Sequence, residues 1–212
     1  MKPEIDYSLY LVTDRGLMTT PTLEEAVEQA IDGGCTLVQL REKNASSREF
    51  YRSAVSVKKV TDRRGVPLII NDRLDIALAS GAAGVHLGQS DLPAAAARRV
   101  LGPDKIVGVS ASTPAQAEAA QAAGADYLGV GAMFPTGTKT DADIISMEEL
   151  KKIRAAVSIP IVAIGGINLR TAPLFRGTGI DGFAVVSAIL ARKDIRAAAR
   201  GLRNILRSLK KA

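Results

Sequence analysis

GADYLGVG, residues 124–131, places a glycine suited to ending a helix before a turn and a short apolar strand. The same pattern recurs as GAAGVHLG at 81–88 and as GIDGFAVV at 179–186. A unit of helix end, turn and buried strand that recurs along a chain indicates a repeating β/α architecture.

Short apolar runs alternate with longer helical patterns on both sides of these segments. Strands are predicted at 8–13, 36–40, 67–71, 84–87, 106–110, 127–131, 160–164 and 182–186. A helix is predicted after each strand, at 22–32, 47–64, 74–80, 93–101, 114–123, 147–156, 169–176 and 194–209. Strands that are apolar on both faces are typical of a parallel sheet covered by helices. Eight such units in succession predict one α/β domain over residues 1–212, a (β/α)8 TIM barrel.

The composition narrows the classes of protein and of metal site. With 47% hydrophobic and 24% charged residues, the chain lies in the range of globular domains. One Cys and one His cannot form a zinc site or an internal disulfide, so any metal should be a hard, oxygen-liganded ion. The first residues lack the apolar core of a signal peptide, and no stretch is long enough to span a membrane. We therefore expect a cytoplasmic protein with no membrane partner.

The net charge of +6 is concentrated in segment 191–212, which holds eight basic residues and one acidic residue. Its apolar residues follow helical spacing, which predicts a helix packed on the body with a solvated basic face. Aromatic residues make up only 4% of the chain, and none lies among these charges. We predict no nucleic-acid partner, and the sequence is compatible with a homo-oligomer.

Active-site groups of such barrels lie just after the strands, at their C-terminal ends. Polar or glycine residues stand there after the second to eighth predicted strands: Gln39, Arg41, Lys43, Asn71, Asp72, Gln89, Asp91, Ser110, Thr136, Thr138, Lys139, Gly165, Gly166 and Ser187. The connection after the sixth strand, 132–146, is unusually long, which predicts a lid-like loop.

The chemistry of this set points to phosphorylated small molecules. Arg41, Lys43 and Lys139 are positive, while Asp72 and Asp91 suit Mg²⁺, which commonly binds one or two carboxylates and completes its shell with phosphate oxygens. This combination predicts a diphosphate site. Glycines 165–166 and residues 186–187 predict a second phosphate site, where barrels often bind phosphate through backbone N–H groups.

No Cys, Tyr or Glu stands at a strand end as an obvious nucleophile or base, and His86 lies within the fourth strand. A reaction driven by departure of a diphosphate would need electrostatic stabilisation more than proton transfer.

Eight segments spread along the chain form a joint pattern: QLREK (39–43), NDR (71–73), GVHLGQSD (84–91), GVSAST (108–113), GADYLGVG (124–131), FPTGTK (134–139), AIGGI (163–167) and VVSAI (185–189). Through these segments the chain resembles the thiamin-phosphate synthase family along its whole length. It implies a transferase that joins 4-amino-2-methyl-5-hydroxymethylpyrimidine diphosphate to 4-methyl-5-(2-phosphoethyl)thiazole. In that reaction, Mg²⁺-assisted loss of pyrophosphate leaves a pyrimidinylmethyl cation, which the thiazole nitrogen captures.

The resemblance also implies the role of each site residue. The pyrimidine diphosphate site would comprise Gln39, Arg41, Lys43, Asn71, Ser110 and Lys139, of which Arg41, Lys43, Ser110 and Lys139 are the expected catalytic residues. Asp72 and Asp91 would hold Mg²⁺. The thiazole phosphate would bind Thr136, Gly137, Thr138, Gly166, Val186 and Ser187.

Simpler interpretations compete with these roles. Asp72 and Asp91 are each suited to capping a helix, and His86 is suited to a hydrogen-bonded place in the core. At the level of function, the alternatives are a thiazole tautomerase on the same scaffold and a non-catalytic phosphate-binding barrel. The tautomerase family resembles the chain at GVHLGQ and GADY, but its catalytic His would fall within 110–113, where this chain reads SAST.

Overall fold

The computed structural model describes residues 2, 4–137 and 143–210, and these form a closed barrel of parallel strands in sequential order. The strands are β1 (Leu9–Val12), β2 (Leu37–Leu40), β3 (Leu68–Asn71), β4 (Gly84–Leu87), β5 (Ile106–Ala111), β6 (Tyr127–Val130), β7 (Ile161–Ile164) and β8 (Gly182–Val185). The barrel closes where β8 pairs with β1, with Leu9 beside Phe183. The predicted TIM barrel is confirmed.

Helices cover the outside of the barrel. They are α1 (Leu23–Asp32), α2 (Ser47–Arg63), α3 (Leu74–Ser80), α4 (Ala94–Leu101), α5 (Pro114–Ala122), α6 (Met147–Ala156), α7 (Ser187–Leu190) and α8 (Ile195–Lys210). Local sequence explains several starts: Ser46 and Glu49 form a capping box on α2, and Thr113 caps α5 directly before Pro114. These signals fix where the chain leaves the mouth of the barrel and turns back along its outside.

The seventh unit differs from the prediction of a helix over 169–176. Only a short 3₁₀ helix forms there, Ala172–Phe175. The Asn168 side chain accepts hydrogen bonds from the backbone N–H groups of Arg170 and Thr171, which holds the chain in a turn. Pro173 has no N–H to donate to a longer helix. The short α7 after β8 was not predicted, whereas α8 matches the predicted last helix within a residue at each end.

Alternation along each strand divides the core into two layers. In β1, Leu9 and Leu11 pack outward against the helices, whereas Tyr10 and Val12 point into the barrel. Gln39 occupies an inward position of β2 and is 4% exposed. The inward layer thus carries polar groups directly beneath the mouth of the barrel.

The C-terminal helix α8 packs on the body as predicted. Ile195, Leu202 and Leu206 are buried, while Arg196 and Arg203 form ion pairs with Asp32 and Asp6. These ion pairs account for part of the basic face of α8. In the part of the chain that the structure describes, no helix combines the length and the apolar character needed to cross a membrane.

Candidate active site

A cavity of about 640 Å³ opens at the C-terminal ends of the strands. The predicted site residues that line it are Gln39, Arg41, Lys43, Asn71, Asp72, Asp91, Ser110, Thr136, Gly166, Val186 and Ser187. Gly137 is described but is not among the lining residues, and Thr138 and Lys139 lie outside the described residues. The fold therefore brings most of the predicted site together at one end of the barrel.

The mouth of the cavity has two chemically different halves. The segments at the ends of β2 to β5 contribute most of the charged and amide side chains, including Arg41, Asn71 and Asp91. The segments after β6 to β8 contribute Gly165, Gly166 and, from the long connection after β6, Asp143. Because strand order around the barrel follows the sequence, these halves face each other across one opening.

The chain after β2 directs two basic residues to the cavity. The Arg41 backbone N–H donates to Thr13 Oγ1 over 3.0 Å, and its guanidinium pairs with Asp14 Oδ2 over 3.2 Å. These contacts tie Arg41 to the end of β1. Lys43 is more exposed, and its Nζ lies 2.7 Å from Asp72 Oδ2. Residues 39, 41 and 43 all line the cavity, as the alternation of an extended chain predicts.

Asp72 and Asp91 do not cap helices. The residue at the N-cap position of α3 is Arg73, and that of α4 is Pro93. Asp72 has a left-handed backbone, with φ of 63°, and its N–H donates to the carbonyl of His86 over 2.8 Å. This conformation is uncommon for a residue with a side chain, and strained backbone of this kind clusters at functional sites.

The carboxylates of Asp72 and Asp91 interact electrostatically. Burial raises the pKa of Asp91, and the neighbouring Asp72 carboxylate raises it further, although the Gly88 N–H, 2.7 Å from Asp91 Oδ2, acts in the opposite direction. Two neighbouring carboxylates at the mouth of a cavity form a set of oxygen ligands that suits a hard divalent cation. No cluster of three or more His, Cys, Asp or Glu suited to a metal occurs within residues 2, 4–137 and 143–210.

On the other half, a glycine loop follows β7 and packs closely on the segment after β6. Gly165 and Gly166 have φ of 94° and 65°. A Cβ at position 166 would lie 2.6 Å from the Cβ of Phe134 and 2.9 Å from the carbonyl oxygens of Phe134 and Pro135. Only glycine fits this combination of backbone conformation and close approach.

The long connection 132–146 is anchored at its base. The N–H of Met133 donates to the carbonyl of Ile164, and that of Ile145 donates to the carbonyl of Ala132 over 2.8 Å. Asp143 lines the cavity, while Ile144 is 59% exposed. Both ends of the connection thus sit at the rim of the cavity.

Sequence reasoning missed several residues that shape the site. Tyr10 lines the cavity from an inward position of β1, and Tyr127 lies inside the barrel beside it. Asn168 donates through Nδ2 to the carbonyl of Gly166 over 3.0 Å and so fixes the glycine loop. Strand alternation could have identified the tyrosines, because it places their hydroxyl-bearing side chains on the inward face of the barrel. Asn168 could have been identified from its place two residues after the glycine pair.

Comparison with known proteins gives a consistent result. The family model described as thiamine monophosphate synthase matches residues 9–189. The thiamine-phosphate synthase of Clostridium beijerinckii is 65% identical over 204 residues, which cover 96% of this chain and 98% of that protein. The enzyme of the same name from Ruminiclostridium cellulolyticum is 64% identical and covers 97% of this chain and 98% of its own length.

A solved structure agrees at the level of fold. The thiamine phosphate pyrophosphorylase of Pyrococcus furiosus superimposes with a TM-score of 0.89 at 41% identity, covering 96% of this chain and 97% of that one. Both the sequence and the fold are therefore shared over nearly the full length.

Proposed function

The chain belongs to the thiamine monophosphate synthase family, and on that premise we propose that the two halves of its cavity bind the two phosphorylated substrates of the synthase reaction. The enzyme is a transferase that makes thiamin phosphate from small phosphorylated substrates. The observation that supports the division is the contrast across the mouth: the basic side chains among the described lining residues follow β2, and a glycine loop follows β7.

The pyrimidine diphosphate is assigned to the β2 to β5 half. Arg41 and Lys43 supply positive charge there, and Lys139 is expected to add a third cation from the long connection. As pyrophosphate departs, negative charge grows on its oxygens, and cations held in place stabilise that charge without reorganisation. Arg41 is held more firmly than Lys43, because Thr13 bonds to its backbone N–H and Asp14 pairs with its guanidinium.

Gln39, Asn71 and Ser110 complete this half as uncharged hydrogen-bonding groups. Gln39 and Asn71 are both buried, so each is held in one orientation by its surroundings. Groups held in this way suit the orientation of a flat heterocycle over the barrel.

Asp72 and Asp91 fit a magnesium ion, because they are two carboxylates at the cavity mouth and the Asp72 carboxylate helps to raise the pKa of Asp91. When bound, Mg²⁺ supplies charge neutralisation for the diphosphate and makes it a better leaving group. The chain's own part is to hold both carboxylates in place, through the Asp72 N–H bond to His86 and the Gly88 N–H bond to Asp91. Lys43 pairs with Asp72 over 2.7 Å and limits the repulsion between the two carboxylates.

The thiazole phosphate is assigned to the half formed by Gly166, Val186 and Ser187, with Thr136 from the long connection. Gly137 and Thr138 are expected to contribute from the same connection. With the two substrates on opposite halves, we expect the thiazole nitrogen to face the pyrimidine methylene carbon. The C–O bond to pyrophosphate breaks with its electron pair, and the nitrogen lone pair forms the new C–N bond.

Apolar walls protect the reacting carbon. Val12, Val162, Ile164 and Ala184 line the cavity from inward or rim positions of β1, β7 and β8. A carbocation is captured by any water that reaches it, so a wall without hydroxyls favours capture by the thiazole. Closure of 132–146 over the substrates stays a prediction, as do the cytoplasmic location and a homo-oligomer.

The direct test supplies purified protein with the pyrimidine diphosphate, the thiazole phosphate and Mg²⁺. We expect thiamin phosphate, measured as thiochrome fluorescence after oxidation, and we expect EDTA to abolish its formation. Absence of product from folded protein would contradict the proposal and make thiazole tautomerisation the next reaction to test. Product formed equally well with EDTA would contradict the metal assignment alone.

Asn168→Ala tests the glycine loop. The substitution removes the Nδ2 donor to the Gly166 carbonyl and the Oδ1 acceptor of two backbone N–H groups. We expect KM for the thiazole phosphate to rise about tenfold, because three hydrogen bonds that hold the glycine loop are lost, while KM for the pyrimidine diphosphate stays within about twofold. Steady-state kinetics with each substrate varied in turn measures this. Asn204→Ala, at an exposed position of α8, is the matched control.

A further inference from the structure

A chain of hydrogen bonds crosses the interior of the barrel beneath the cavity. Gln39 Nε2 donates to Tyr10 Oη over 2.8 Å, and Tyr10 Oη lies 2.9 Å from Tyr127 Oη. Tyr127 Oη lies 2.9 Å from His86 Nδ1, and His86 Nε2 lies 3.0 Å from Ser110 Oγ. Both ends of the chain, Gln39 and Ser110, line the cavity.

The direction of the first bond fixes the direction of the rest. Tyr10 Oη accepts from Gln39, so its single proton is directed to Tyr127 Oη. Tyr127 then directs its own proton to His86 Nδ1, which must be an unprotonated acceptor. A neutral imidazole with a bare Nδ1 carries its proton on Nε2, and this nitrogen donates to Ser110 Oγ.

We propose that Tyr10, Tyr127 and His86 are positioning residues that couple the orientations of Gln39 and Ser110, so that an acceptor, Gln39 Oε1, and a donor, Ser110 Oγ, face the cavity together. Their role is indirect, because each acts on a ligand only through Gln39 or Ser110. The reverse polarity would exchange the two ends: the Gln39 amide would turn its Nε2 to the cavity, and Ser110 would direct its proton to His86.

The surroundings keep both phenols protonated. Tyr10 is 1% exposed and Tyr127 is completely buried, and burial raises the pKa of both phenols far above neutrality. Two glycines make room for the rings: a Cβ at Gly108 would lie 2.1 Å from the ring of Tyr127, and one at Gly129 would lie 3.0 Å from the ring of His86. The rings therefore fill spaces that neighbouring strands leave open for them.

The kinetic consequence of the polarity rests on the proposed function, in which Gln39 and Ser110 hold the pyrimidine diphosphate. The pyrimidine diphosphate has N–H donors on its exocyclic amine and acceptors on its ring nitrogens and phosphates. One orientation of it can therefore donate to Gln39 Oε1 and accept from the Ser110 hydroxyl. The condensation breaks a C–O bond and forms a C–N bond without moving a proton. The chain therefore acts by orientation and not as a proton relay.

His86 is the single histidine of the sequence, so its tautomer can be measured without ambiguity. With isotope-labelled histidine, the ring-nitrogen chemical shifts near neutral pH distinguish a protonated from a bare nitrogen. We expect a neutral ring with the proton on Nε2 in the protein without substrate. A proton on Nδ1, or a charged ring, would overturn the proposal, and this measurement is independent of any enzymatic activity.

Tyr127→Phe interrupts the chain at its centre while it retains the ring that packs beside Gly108. We expect the His86 spectrum to lose its single tautomer. We also expect kcat/KM for the pyrimidine diphosphate to fall about tenfold or more, with KM for the thiazole phosphate within about twofold of the parent value.

Tyr7→Phe is the matched control. Tyr7 packs against Tyr127, with ring centroids 4.9 Å apart, but it is not a member of the chain. The same loss of a phenol oxygen should therefore leave the His86 spectrum and both kinetic constants unchanged. Equal kinetics of the Tyr127→Phe and Tyr7→Phe variants would overturn the positioning role. If the parent protein formed no thiamin phosphate, the His86 spectrum would still decide the polarity of the chain.

Discussion

Replacement of Asp72 and Asp91 together by asparagine is expected to lower thiamin phosphate formation by about 10³-fold or more and to abolish its dependence on Mg²⁺. Both carboxylates line the cavity beside the basic residues assigned to the diphosphate. Asparagine keeps the size and one acceptor oxygen of each side chain but removes the negative charges that a divalent cation requires.

The variant should remain folded, which separates loss of the metal site from loss of structure. The pKa of Asp91 is raised in the folded protein, so its ionised form costs folding free energy when no cation is bound. Removal of the charge takes away that cost, and the asparagine oxygen can still accept from the Gly88 N–H. We therefore expect a thermal unfolding midpoint no lower than that of the parent protein.

Matched controls are available on the outer surface. Asp62 and Asp75 have side chains that are 60% and 61% exposed, and each pairs with a nearby basic residue on the surface. The double variant of Asp62 and Asp75 to asparagine changes the net charge equally and should retain full activity. Thiochrome assays over a range of Mg²⁺ concentrations compare the two. If the Asp72 and Asp91 variant kept its activity and still required Mg²⁺, the assignment of both residues as metal ligands would be wrong.

The second large effect is expected for Gly166→Ala. A side chain at this position meets the Phe134 Cβ at 2.6 Å and two backbone carbonyl oxygens at 2.9 Å, with φ of 65°. The left-handed backbone costs about 1–2 kcal/mol for alanine, and overpacking adds about 1–3 kcal/mol. We expect the free energy of unfolding to fall by about 3 kcal/mol and KM for the thiazole phosphate to rise more than about tenfold, because the glycine loop must move.

Gly65→Ala separates the cost of the left-handed backbone from the cost of the close contacts. Gly65 has nearly the same φ, 63°, but a Cβ there meets nothing within 4 Å. The free energy of unfolding of this variant should fall by only about 1–2 kcal/mol, and its KM values for both substrates should not change. Urea unfolding and substrate kinetics on the two variants measure the difference. Equal stability and equal KM values would show that the contact with Phe134 and Pro135 does not shape the phosphate site.

Much of the fold could be predicted because it follows from local pattern. Buried runs such as 161–164, spaced by helical patterns with caps at Thr113 and Ser46, specify both the elements and their order. The seventh unit was predicted wrongly as a helix, because the hydrogen bonds that Asn168 makes to its own loop compete with helix formation. That competition depends on side-chain geometry that helical periodicity does not contain.

The sequence by itself determined the barrel, the end of it at which the candidate site residues gather and the types of those residues. It did so because strand and helix periodicity are local, and because a parallel barrel brings all strand ends to one face. Only the tertiary structure decided that the Asp72 carboxylate helps to raise the pKa of Asp91, and that Asn168 holds the glycine loop.

The tertiary structure alone also revealed the hydrogen-bond chain from Gln39 through Tyr10, Tyr127 and His86 to Ser110. Its members come from five different strands and are as many as 117 positions apart in sequence. Distances of 2.8–3.0 Å between such residues arise only when the barrel closes, because hydrogen bonding depends on atomic geometry that no local pattern encodes.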